Sequence, residues 1–147
     1  MNAMRSSSLV GTWTLLSFSA VALNEEKVHP FGHHPVGQLI YTDDGHMAEV
    51  ISRAGRSKFA SADPLAGTPA EIKEAFEGME AFAGTYEVDE TDAIVTHRAL
   101  VSRLPNWEGG AERRQFKHDG NRLVLSTPPV LARGTEWVLT LTWKRCE

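Results

Sequence analysis

Apolar and polar residues alternate with period two over most of this chain, and that spacing predicts strands with one face buried. The clearest run is Ile94 to Ser102. There Val95, His97, Ala99 and Val101 oppose Thr96, Arg98, Leu100 and Ser102, and His97 is the only polar residue on the inward face. Pro105 stops the strand because proline has no N–H to give a ladder, and a loop carrying Asn106, Trp107 and Glu108 follows.

Upstream, Thr14 to Ala22 reads as a long first strand with apolar residues on both faces. Proline and glycine break the stretch Val28 to Pro35 into a short strand and a loop. Val36 to Thr42 and His46 to Arg53 form a hairpin around Asp43-Asp44-Gly45, with glycine supplying positive φ. Two registers fit it. A two-residue loop sets Tyr41 opposite Ala48; a three-residue loop with a glycine bulge sets Tyr41 opposite Met47, on one face with Glu49.

Residues 54 to 67 have neither period and predict a surface loop. A helix start follows, with Thr68 as N-cap, Pro69 in the first turn and Glu71 three residues after the cap. Ile72, Phe76, Met79 and Ala83 keep helical spacing, so the helix is expected to run until Gly84. Thr85 to Asp89, Ala93 to Ser102, Glu112 to His118, Asn121 to Thr127 and, after Pro128-Pro129, Glu136 to Lys144 read as strands. Eight to ten strands joined mostly by hairpins predict an all-β fold, an antiparallel up-and-down barrel with one covering helix. Residues 1 to 147 are expected to form a single domain, large enough to bury roughly two-thirds of its unfolded surface.

Fifteen Lys and Arg against nineteen Asp and Glu leave a net charge of −4, which predicts no general attraction to nucleic acid or to anionic membrane surfaces. Cys146 is the single cysteine and has no internal disulfide partner. With no apolar run of signal-peptide or membrane-span length, a cytoplasmic protein is the expectation.

Several short motifs occur together and in order: Leu9-Val10-Gly11-Thr12-Trp13, Pro30-Phe31-Gly32, Gly37 through Met47, Gly84-Thr85-Tyr86, Thr96-His97 and Pro105-Asn106-Trp107-Glu108-Gly109. In this the chain resembles the bacterial and fungal lipocalin-like domain family, a group of small calycin-type barrels. The resemblance implies a barrel with an internal cavity for a small hydrophobic molecule, and some related barrels act in secondary metabolism. Gly11-Thr12-Trp13 is also similar to the Gly-x-Trp signature of true lipocalins, whose indole packs under an arginine from the end of the last strand. The resemblance implies Arg145 for that position.

The candidate chemistry centres on His97, which reads either as a general acid or base, as a polar anchor for a ligand, or as an ordinary core histidine with a satisfied ring. Tyr41, Glu49 and Arg114 would complete a site as phenol donor, carboxylate and guanidinium. Arg113 and Arg114 face opposite ways, and Arg114 shares the apolar face with Phe116. The expected ligand-binding set is His97, Tyr41, Glu49, Val95, Val101, Trp107 and Arg114; the catalytic set, if there is catalysis, is His97, Tyr41 and Arg114. Trp107 reads equally as a packed loop anchor. His29, His33 and His34 lack an established ligand spacing, so no metal is expected, and no phosphate loop, dinucleotide motif or nucleophile elbow points to a cofactor.

Two functions fit these residues. One is a binding protein for a small, mostly hydrophobic molecule, and the other is a cofactor-independent isomerase, cyclase or dehydratase acting on such a molecule. A packed barrel whose outer face forms a homodimer is a third reading.

Overall fold

The computed structural model describes residues 8–24 and 26–146. Among them ten strands form one antiparallel sheet: β1 Gly11–Ala22, β2 Lys27–Val28, β3 Val36–Tyr41, β4 His46–Ser52, β5 Met79–Asp89, β6 Ile94–Ser102, β7 Ala111–His118, β8 Arg122–Ser126, β9 Val130–Ala132 and β10 Thr135–Arg145. Pairing of β1 with β10, from Trp13 against Arg145 to Ala22 against Trp137, closes eight of them into a barrel. The short β2 and β9 continue β1 and β10 at the far end. Closure leaves the eight-strand wall without a free edge.

Arg145 seals one end. Its guanidinium lies over the Trp13 ring at 4.2 Å, donates to the carbonyls of Val10 and Ser8, and through Nε to Gly120. The Trp13 indole is fully buried and donates to the Leu9 carbonyl at 3.0 Å. This is the packing the Gly-x-Trp similarity implies. Gly11 makes room for it: its φ is +137°, and a Cβ there would stand 2.7 Å from Arg145 Nη1.

Two bulges re-aim side chains. In β1 the register slips between Leu15 and Ser17, so Trp13 and Leu15 are followed inward by Phe18, Ala20 and Ala22. The apolar residues read on both faces thereby converge on one interior. Between β5 and β6, Gly84 pairs with Ala99 but Ala83 pairs with Val101, which leaves Leu100 as the extra residue. Gly84 permits this because a Cβ there would lie 1.9 Å from the Arg98 carbonyl oxygen.

The helix is shorter than its apolar spacing predicts. Helix α1 spans Pro69–Glu77, with Thr68 and Glu71 forming a complete capping box. It ends at Gly78, not Gly84, and Met79 begins β5 by pairing with Ser52. Phe82, Gly84, Tyr86 and Val88 alternate inward from there, so a period of two overrides the helical coincidence of Met79 and Ala83. None of the residues of α1 is buried. None of the helices among the described residues is long and apolar enough to cross a membrane.

Candidate functional site

The β3–β4 hairpin takes the three-residue register. Tyr41 pairs with Met47, the Thr42 N–H donates to the His46 carbonyl, and Gly45 sits at φ 94°. Tyr41 and Glu49 therefore share the inward face. On β6, Val95, His97 and Ala99 face inward, and on β7 Arg114 sits opposite Val95 with Phe116 next on its face. The wall thus brings Tyr41, Glu49, His97 and Arg114 to one interior.

Tyr41 Oη and His97 Nε2 lie 2.6 Å apart, both side chains buried. Phe82 and Tyr41 flank the imidazole, each with its ring centroid 5.7 Å away, and Tyr86 lies against Tyr41 while donating its hydroxyl to the Thr42 carbonyl. The phenol either donates to Nε2 with the proton on Nδ1, or accepts from Nε2–H with Nδ1 bare. In both cases Nδ1 is buried with no hydrogen-bond partner.

Electrostatics divides the roles. Burial, and secondarily the positive charge of Arg114, pushes His97 down to about 3, so its ring is neutral at physiological pH. Burial pushes Glu49 up to about 7, against the pull of Arg114 and helped by Glu80. Burial, and then the neighbouring Glu49 carboxylate, raises Tyr41 well above its ordinary value. Glu49 is the one of these three groups that titrates near neutrality. Arg114 lies 3.6 Å from the Glu112 carboxylate and supplies the positive charge felt by the other three.

Two expected residues are placed differently. Val101 is not on the inward face: the Leu100 bulge turns it outward, where it is 58% exposed. Trp107, in a 3-10 turn at Pro105–Trp107, is half-buried and meets Phe82 in a T-shaped contact at 6.5 Å, and Phe82 in turn contacts His97. Glu108 accepts the Ser102 N–H, which ties this loop back to its strand. Val95 is fully buried in the core. The His29 and His33 rings lie 4.2 Å apart, tilted by 48°, and among the described residues no group of three metal-ligating side chains is formed.

Above this interior, the end of the barrel opposite Arg145 opens into a cavity of about 850 Å³. Phe31, Leu104, Trp137 and Leu139 supply apolar wall, Phe76 of α1 forms part of the rim, and Arg53, Arg103 and Arg133 add guanidinium groups. The cavity wall does not include Tyr41, Glu49, His97 or Arg114. Sequence reasoning missed this wall because β2, α1, β9 and the loops after β4 and β6 each contribute one or two residues. The Pro30-Phe31-Gly32 motif, the helical spacing through Phe76 and the strand from Glu136 to Lys144 each marked part of it, without showing that the parts meet.

Comparison with curated proteins and with solved structures returns no match. A family model described as the lipocalin-like domain matches residues 10–146, nearly the whole chain, so this protein belongs to the lipocalin-like domain family.

Proposed function

We propose that this protein binds a small, mostly hydrophobic molecule in the open end of its barrel. The carrying observation is the cavity of about 850 Å³, bounded by aromatic and aliphatic side chains with a few polar groups, which is the size and make-up of a small-molecule site. The unpartnered Nδ1 of His97 supports a polar contact deeper in the barrel, since a buried polar atom left unsatisfied costs about 1–3 kcal/mol. A ligand hydroxyl or carbonyl reaching it would recover that cost. Val95, fully buried on the same inward face of β6, adds apolar core beside His97 in sequence, while the charges of Glu49 and Arg114 act on the same interior. Cys146 as single cysteine fits a cytoplasmic setting.

A second reading, a cofactor-independent isomerase, cyclase or dehydratase, draws on Glu49. A carboxyl held at about 7 is matched to moving a proton at physiological pH, whereas an imidazole at about 3 is a weak base. In that reading Glu49 carries the proton, Tyr41 and His97 orient the substrate through their shared hydrogen bond, and Arg114 stabilises a developing oxyanion.

Native mass spectrometry after incubation with an extract of the source cells separates the readings. The binding reading expects one metabolite retained unchanged by the native protein, by Glu49→Gln and by His97→Ala, with weaker retention in the last. Conversion by the native protein, with retention of the unconverted compound by Glu49→Gln, would replace it with the catalytic reading. No retained or altered compound contradicts both.

A further inference from the structure

We propose that the ligand of the open-end cavity is an amphipathic monocarboxylate whose carboxylate is held at the rim by Arg103, with Arg53 and Arg133 beside it. The proposal rests on the binding reading above and adds the chemical class of the ligand. Arg103 follows β6 and is mostly buried. Its Nη2 donates to Glu80 at 2.9 Å, and its guanidinium lies over the Phe76 ring at 4.0 Å. These contacts fix the plane of the group without using it up: its Nε is buried and has no hydrogen-bond partner. A planar guanidinium held in a cavity wall is matched to a carboxylate, and the fixed plane means that little side-chain freedom remains to be lost on binding.

The neighbouring charges favour an anion. Arg53 and Arg133 line the same cavity, and no carboxylate among the described residues lies within ion-pair range of either. Arg53 gives one N–H to the Pro30 carbonyl at 3.3 Å. Of the two carboxylates in the wall, Glu77 already faces Lys73 at 3.6 Å, which leaves Glu26 against two guanidinium groups without a carboxylate partner and a third that shares its charge with Glu80. An apolar body then runs inward along Phe31 and Leu139.

The test displaces the neutral fluorescent probe N-phenyl-1-naphthylamine from the full-length protein at pH 8 with dodecanoate, 1-dodecanol or dodecylamine, which share one alkyl chain. Dodecanoate is expected to displace the probe at a concentration at least about tenfold lower than dodecanol, as one charge-assisted hydrogen bond implies, and dodecylamine to be the weakest. The paired variant Glu80→Gln/Arg103→Gln removes both charges together, so no buried carboxylate is stranded. It is expected to narrow the gap between acid and alcohol to within about threefold while the alcohol still binds. Arg53→Gln, an exposed position, should narrow it partially. Equal displacement by acid and alcohol, preference for the amine, or a gap that survives in both variants would overturn the assignment while leaving the cavity reading intact. If the probe does not bind the native protein at all, the cavity reading itself has failed and this proposal falls with it.

Discussion

The hydroxyl of Tyr41 on β3 and Nε2 of His97 on β6 meet at 2.6 Å inside the barrel, although 56 positions separate them in the chain. Two strands, β4 and β5, lie between them in the wall, so the contact spans the interior. It depends on the three-residue loop at Asp43-Asp44-Gly45, since a register slip of one residue would turn Tyr41 outward.

Removing the phenol should therefore be costly for its size. Tyr41→Phe leaves the second imidazole nitrogen unpaired as well, and is expected to lower unfolding free energy by about 1–3 kcal/mol in urea titrations at unchanged m-value. A change within a few tenths would mean that this hydrogen bond contributes nothing to stability.

Opposite shifts at Glu49 and His97 shape stability against pH. Glu49 rises from 4.5 to about 7 on folding, so between those values the folded state holds the extra proton and this group's contribution falls as pH rises. His97 drops from 6.5 to about 3, so between those values the unfolded state holds the extra proton and its contribution grows as pH rises. From about 4.5 to 6.5 the two slopes cancel. Glu49→Gln should uncover the His97 slope there, a gain of roughly 1.4 kcal/mol per pH unit relative to the native protein. Denaturant titrations at pH 4.5, 5.5 and 6.5 read that difference, and the exposed carboxylates common to both proteins drop out of it. Parallel pH profiles would refute the assignment.

Gly84→Ala should be among the most damaging single-methyl additions. The new Cβ would overlap the Arg98 carbonyl of the paired strand, which cannot move without opening the β5–β6 ladder. A loss of about 3 kcal/mol or more, or failure to fold, is expected in thermal unfolding. A native-like melting temperature would mean that the bulge is dispensable.

Arg145→Ala removes the cation over Trp13 together with hydrogen bonds to Ser8, Val10 and Gly120. A loss of about 2–4 kcal/mol is expected, and Arg145→Lys should recover only part of it, because an ammonium cannot reach three carbonyls while covering the indole.

Much of the scaffold was legible because its cause is local. Alternation marks most of the strands, the capping box at Thr68 and Glu71 marks the start of α1, and the inward phase of His97 and Arg114 follows from counting by two. What escaped depends on partners distant in sequence. The Leu100 bulge exists because Gly84 on the neighbouring strand admits it, so Val101 cannot be placed from β6 alone. Met79 and Ala83 satisfy a helical period by coincidence, and β4 decides the matter by pairing with them. Barrel closure assembles the cavity, bringing Phe31, Phe76, Arg103 and Trp137 from four separate segments whose local patterns do not say that they meet.

The central claim, that the open end of the barrel is a binding site for a small apolar molecule, is tested most directly by titrating N-phenyl-1-naphthylamine into the native protein and into Ala20→Phe. Ala20 faces inward in the cavity wall, so a phenyl ring there occupies the space the ligand needs. Saturable fluorescence enhancement by the native protein, weakened about tenfold or more in a variant that still unfolds cooperatively, is the predicted result. Equal binding by both, or binding by neither, would contradict it.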